Sequence, residues 1–334
     1  MKHGGNIAEF SRLCGCSENA VIDFSSNINP RTPKYSLKGL NIRAYYEPSY
    51  KNLKRKIAKT FMVDSSNVAL FNGASRAIFS LFETLSSKDY VLYAPLYGEY
   101  ERAAALHGKN IQLINRFDDI YQLPPKKSIV VFVNPSTPDG RYYDLKRLLK
   151  IWKQQSCKVV IDESFLLFTD QESVRELVHK NSDLFVVQSL SKIYGAAGVR
   201  VGAIFSHSSN VEVLTKRQEM WSLSTFDTKF LLDVLSDKKH LKKSKKNLQK
   251  DKKELETILQ RSLLFSEIFP SEANYILVKL KQYSAKQLQK KLIPYKILVR
   301  DCSSFDFLDN SFVRFAVKDS SAHKKLKRAL DALT

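Results

Sequence analysis

A lysine at the end of an apolar run is the residue around which this chain's chemistry can be built. Asp183-Leu184-Phe185-Val186-Val187-Gln188 has the length and β-branched content of a buried strand. It runs directly into Ser189-Leu190-Ser191-Lys192-Ile193-Tyr194-Gly195-Ala196-Ala197-Gly198-Val199-Arg200. Small residues let backbone approach a bound group, and Ser189, Ser191 and Arg200 are donors suited to a phosphate. A partly desolvated lysine with a second cation nearby has a lowered pKa, which makes its amine able to form a Schiff base. The alternative is a strand-to-loop turn whose lysine reaches solvent. This stretch alone does not choose between them.

The elements that must position Lys192 do. Val68-Ala69-Leu70-Phe71 is a short strand that passes through Asn72-Gly73-Ala74-Ser75 into a helix carrying Ile78, Leu81, Phe82 and Leu85. Free N–H groups at such a helix start make a phosphate cradle. Tyr90 to Tyr93 is a strand ending at Ala94-Pro95-Leu96-Tyr97-Gly98, and a helix comes next through Tyr100, Ala104 and Leu106. Ile111 to Ile114 and Ser128 to Val133 are further strands, the second ending in the turn-forming Asn134-Pro135-Ser136-Thr137-Pro138-Asp139-Gly140. Tyr143 to Gln155 is helical, and Lys158 to Ile161 is a strand with Asp162-Glu163 at its C-terminal end. Strands alternating with helices predict an α/β fold with a mostly parallel sheet, whose ligands bind beyond the C-terminal strand ends. Asn134, Asp162 and Lys192 all belong there.

Beyond Arg200 the pattern predicts a strand over Val201 to Phe205 and one helical region from about Lys229 to Leu263. The remainder is α+β, with strands over Asn274 to Leu280, Ile297 to Arg300 and Phe312 to Val317, and helices over Ala285 to Leu292 and at the end. The expected organisation is an N-terminal arm (1–30), a large domain (31–228) and a smaller C-terminal domain (229–334).

With 334 residues, 43% of them hydrophobic, the chain can bury such a core. No run approaches the roughly 18 apolar residues of a membrane span, and no signal-peptide pattern opens it, so the expectation is a cytoplasmic protein without a membrane partner. Cys14, Cys16, Cys157 and Cys302 fit neither a disulfide framework nor a metal site. The formal charge of +20 is concentrated in Lys238 to Lys253, where Leu241 and Leu248 share one helical face and lysines cover the rest. That reads as a solvated helix face, not a nucleic-acid groove, and its field attracts anions.

One cofactor accounts for a lysine, a strand-end carboxylate and phosphate donors together: pyridoxal 5'-phosphate. Lys192 would hold it covalently and Asp162 would face its ring nitrogen. Gly73, Ala74, Ser75, Ser189, Ser191 and Arg200 would take its phosphate, and Tyr97 would stack on its ring.

S-x-S-K-x-x-x-x-x-G-x-R resembles the fold-type-I pyridoxal-phosphate enzymes of the aspartate aminotransferase superfamily, and the likeness extends along nearly the whole chain. Within that group the chain resembles the histidinol-phosphate aminotransferases. It is more similar to the L-threonine-O-3-phosphate decarboxylases of cobalamin biosynthesis in His3-Gly4-Gly5-Asn6, in Asp23 to Pro30, in Ile297 to Ser303, and in Phe165 where the aminotransferases usually carry tyrosine. The resemblance implies that Arg314 grips a substrate α-carboxylate and that Arg300 holds the other end of a small phosphorylated amino acid. It implies that His3, Gly4 and Asn27 belong to a segment closing over that substrate. It also implies that Tyr45 reaches the cofactor phosphate of a neighbouring subunit, in a homodimer with shared active sites.

One departure stands out. The family usually reads N-P-N-N-P-T-G where this chain has Asn134 to Gly140, so Thr137 replaces the asparagine that donates to the ring 3'-oxygen. A threonine hydroxyl can donate too, but it is shorter. The expected activity is decarboxylation of O-phosphothreonine or O-phosphoserine, with transamination of the histidinol-phosphate type as the alternative.

Overall fold

The computed structural model describes residues 4–334, so His3 lies outside the described residues. A seven-stranded sheet forms its larger part. Across the sheet the strands run Val68–Phe71, Gly202–Ser206, Leu184–Ser189, Lys158–Asp162, Ile129–Val133, Asp89–Ala94 and Asn110–Asn115. Gly202–Ser206 is antiparallel to both its neighbours, and every other pairing is parallel. Ile129–Val133 and Leu184–Ser189 are buried at every position, which explains their unbroken apolar sequence: helices cover both faces. The core accordingly lies in two layers. Trp152 and Phe132 pack on one side of the sheet, and Ile78, Phe82 and Tyr100 on the other. Fully burying each such side chain contributes about 1.5–3 kcal/mol.

A smaller antiparallel sheet orders Arg300–Asp301, Phe312–Ala316, Tyr275–Leu280 and Phe265–Ile268. The N-terminal arm joins this part, because Ile22–Asp23 pairs in parallel with Ile297–Leu298. The stretch expected as one strand over Ile297 to Arg300 is therefore two. Its first half pairs with the arm, and its second half turns to pair with Phe312–Ala316. The helical region expected without interruption is also broken, into Thr225–Val234 and Lys238–Arg261. The second helix starts afresh where Asp237 accepts a hydrogen bond from the His240 N–H at 2.8 Å, an N-cap the leucine spacing does not reveal. Leu248, Leu255 and Leu259 line its buried face, and Asp251 holds Arg31 of the segment after the arm at 2.6 Å. No helix among the described residues is long and apolar enough to cross a membrane.

Candidate active site

The C-terminal ends of the central strands open into a cleft of about 350 Å³, which the arm and the small sheet close from above. Lys192 projects into it from the loop after Leu184–Ser189, and its Nζ lies 3.9 Å from the centre of the Phe165 ring. Burial pushes the amine down to about 8; Asp162 pulls it back up, and Arg314 and Arg200 add to the depression. An amine so placed carries a far larger neutral fraction near physiological pH than an ordinary lysine, which a nucleophilic lysine requires.

Asp162 ends its strand with a buried carboxylate that is thoroughly satisfied. The Ser164 N–H donates to one oxygen at 2.8 Å and the Tyr100 hydroxyl to the other at 2.9 Å. Burial, with the Asp162 charge adding, drives the Tyr100 phenol well above its ordinary value, so Tyr100 keeps its proton and donates it to the carboxylate. Glu163 turns away from the cleft. It accepts from Ser173 Oγ at 2.5 Å and from the Val174 N–H at 2.9 Å, with Arg175 at 3.6 Å.

A donor-rich corner lies beside Lys192. The helix Gly73–Thr84 begins without a side-chain cap, leaving its first N–H groups to a ligand. Gly73 has φ +77°, and a Cβ there would come within 2.4 Å of an Arg200 guanidinium nitrogen, so only glycine lets that cation reach the helix start. Gly202 is required for a similar reason, since a Cβ on it would strike the Ala74 nitrogen at 2.4 Å. Ser75 and Tyr97 bring their hydroxyls within 3.5 Å of each other, and Ser189 and Ser191 theirs within 3.3 Å. The combination of uncapped amides, hydroxyls and Arg200 has the donors and charge to suit a phosphate.

The opposite wall is cationic. Arg300 and Arg314 lie side by side in the small sheet, both largely buried. Arg314 donates to Thr137 Oγ1 at 3.0 Å and to the Ser25 carbonyl at 3.4 Å, while its Nε finds no partner among the described residues. Arg300 donates to Ser304 Oγ at 2.9 Å and stacks on Phe305, 5.4 Å from the ring centre. Asn27 is buried at the cleft with its Oδ1 unpartnered among the described residues, and Lys318 Nζ donates to the Ser26 carbonyl at 3.1 Å. The arm is thus pinned to the wall it completes.

A family model for aminotransferase class I and II matches residues 21–333. The chain belongs to that family. Class I and II aminotransferases depend on pyridoxal 5'-phosphate, and the lysine, the facing carboxylate and the donor-rich corner fit that cofactor. Within the family, the chain is 32% identical over 348 residues to a bifunctional adenosylcobalamin biosynthesis protein of Leptospira interrogans. That match takes in 97% of this chain but only 40% of that longer protein. It is 26% identical to the threonine-phosphate decarboxylase of Salmonella typhimurium, covering 98% of this chain and 95% of the relative. The crystal structure of the histidinol-phosphate aminotransferase from Clostridium acetobutylicum superposes with a TM-score of 0.84 at 26% identity, covering 93% of this chain and 98% of that one. The fold is that of the fold-type-I members of the class I and II family.

Of the residues singled out from sequence, the cleft gathers Gly4, Asn27, Ala74, Ser75, Tyr97, Thr137, Asp162, Ser189, Ser191, Lys192, Arg200, Arg300 and Arg314. Gly73 stands just behind, against Arg200. Tyr45 does not enter the cleft of its own chain: it is 81% exposed and stacks on Trp221 with ring centres 4.6 Å apart. Sequence reading missed Tyr100, Ser164, Phe305 and Arg116. Tyr100 carries the periodicity of a core position and nothing more, and its hydroxyl acquires a role only because its helix packs beneath Asp162.

Proposed function

We propose that the chain catalyses pyridoxal-phosphate-dependent decarboxylation of a small O-phospho amino acid, L-threonine O-3-phosphate or O-phospho-L-serine, giving the amino alcohol phosphate and carbon dioxide. The observation that carries this reading is the pairing of Arg300 with Arg314 in one sheet register, across the cleft from Lys192. Two guanidinium groups suit a substrate with two anionic ends, an α-carboxylate and a phosphate ester.

When bound, the cofactor supplies an electron sink for whichever bond at the substrate Cα stands perpendicular to its ring. The protein's part is orientation and proton control. Asp162, oriented by hydrogen bonds from Tyr100 and Ser164, would present its carboxylate to the ring nitrogen. Arg314 grips the α-carboxylate and so selects the bond that breaks, and Arg300 anchors the phosphate. Lys192, whose amine lies near 8, can take up or return a proton at Cα. Phe165 fills the place beside Lys192 with an apolar ring and brings no phenolic donor there.

The remaining assignments belong to the same reading. Residues 31–228 bind the cofactor, 229–334 with the arm 1–30 close over the substrate, and His3 lies on that arm. Tyr45 serves a second copy of the chain; the exposed Ile42, Tyr45 and Trp221 line one surface depression suited to such an interface. Purified enzyme should sediment as a dimer, and a monomer at micromolar concentration would remove that role from Tyr45.

The reaction is tested by supplying O-phospho-L-threonine and O-phospho-L-serine. The expected result is carbon dioxide release over many turnovers with the cofactor's visible band retained. Conversion of the cofactor to its amine form without gas would mean transamination and overturn the proposal. The two substrates differ by one methyl, so a preference of about 10- to 200-fold is the most a shape-matched pocket gives.

A further inference from the structure

Three departures from the family's N-P-N-N-P-T-G pattern, at Ser136, Thr137 and Asp139, form one connected unit with a residue from elsewhere in the chain. Arg116 stands just past the strand Asn110–Asn115, and its side chain is 0% exposed. Its Nη2 lies 3.1 Å from Asp139 Oδ1 and also donates to the Pro95 carbonyl at 2.7 Å and the Thr137 carbonyl at 3.2 Å. Its Nη1 reaches Asp139 Oδ2 at 3.5 Å and the Tyr143 hydroxyl at 3.3 Å. Ser136 Oγ donates to the same Asp139 carboxylate at 2.8 Å. One planar cation thus clamps the two loops that bring Tyr97 and Thr137 to the cleft. It also neutralises a carboxylate that could not otherwise be buried.

We propose that Arg116 and Asp139 are positioning residues whose ion pair fixes Thr137 so that its hydroxyl donates to the cofactor's 3'-oxygen. The hydroxyl already accepts from Arg314 at 3.0 Å, so its own proton is directed away from that contact and is available to a ligand in the cleft. A threonine is one bond shorter than the asparagine it replaces, and its donor must be held by its backbone. Arg116 grips the Thr137 carbonyl, and Tyr275 donates to the carbonyl of Ser136 at 2.7 Å. The inference rests on the cofactor assignment alone and is independent of whether the reaction is decarboxylation or transamination.

The test is a spectrophotometric pH titration of the cofactor's visible band, without substrate. Removing Arg116 alone would strand a buried carboxylate, so the variant of choice is Arg116→Met/Asp139→Thr, which removes both charges and restores the family's threonine. Asp139→Asn, which keeps the side-chain shape, is the second variant. Loss of a donor to the anionic 3'-oxygen disfavours the deprotonated form, so the titration should move upward by about one unit, a tenfold change in the equilibrium. Asp139→Asn should move it the same way by less. Thr137→Val should give the shift of the double variant, and the three changes combined should give no more than either. A double variant that titrates like the unmodified enzyme, or shifts that add, would overturn the proposal.

Discussion

Lys192→Ala should reduce turnover by at least about a thousandfold, the scale on which a positioned proton-transfer group acts, and should abolish covalent retention of the cofactor. The physical argument lies in the amine's environment. An ordinary lysine titrates near 10.4 and is neutral in only about 0.04% of molecules at pH 7. Burial brings Lys192 to about 8, against the pull of Asp162 and with help from Arg314 and Arg200. At that value about one molecule in ten carries a neutral, nucleophilic amine at pH 7, a gain of more than about a hundredfold. The pH dependence takes its sign from the neutral amine, the only form that attacks the cofactor's aldehyde. Apoenzyme should therefore take up pyridoxal phosphate faster as pH rises towards about 8 and level off above it. Borohydride reduction and then denaturation should leave the cofactor on the unmodified chain and none on Lys192→Ala. A variant that retained label, or uptake that kept climbing to pH 10, would sink the assignment of Lys192 or of its depressed pKa respectively.

The candidate site was legible because parallel strands bring their C-terminal ends to one edge of the sheet. Val133, Asp162 and Ser189 end apolar runs visible without any structure, and the loops that leave those three positions must meet at that edge. The two-strand edge with Gly202–Ser206 antiparallel was not foreseeable, since a buried strand reads alike in either direction. Contacts that span the chain were equally hidden. Arg314 meets Ser25 across 289 positions and Lys318 meets Ser26 across 292, and neither pair leaves a local pattern. Arg116 is the clearest case. It stands one residue past an edge strand, where an arginine ordinarily reaches solvent, and only the packed loops around Asp139 show why it is buried. The unexpected aspartate at 139 was the one available signal, because a carboxylate in a tight loop needs a cation if it is buried. Tyr45 is different in kind: its proposed partner lies on another copy of the chain, so no arrangement of one copy brings it to a cofactor.

Asp162→Asn should lower kcat by about 10²- to 10³-fold while leaving the fold intact. The substitution is close to isosteric, and both hydrogen bonds survive it. The amide oxygen still accepts from the Ser164 N–H, and the amide nitrogen donates to the Tyr100 oxygen in place of accepting from it. What disappears is the charge. A neutral partner no longer favours a protonated ring nitrogen, so the cofactor becomes a poorer electron sink although it is held in the same place. Lys192 supplies an independent measure of the same loss. Asp162 is the group that raises its pKa against burial, so the amine should fall below about 8 in the variant, and the pH at which cofactor uptake levels off should fall with it. Tyr100→Phe should act in the same direction but more weakly, since it removes one donor and leaves the carboxylate charge and the Ser164 contact in place. If Asp162→Asn kept full kcat, the charge would have no part in the chemistry. If it lost kcat but left the uptake profile where it was, Asp162 would act on the cofactor without sensing Lys192. Only the coupled change, slower turnover with a downward shift in the lysine titration, fits one carboxylate facing both the ring and the amine.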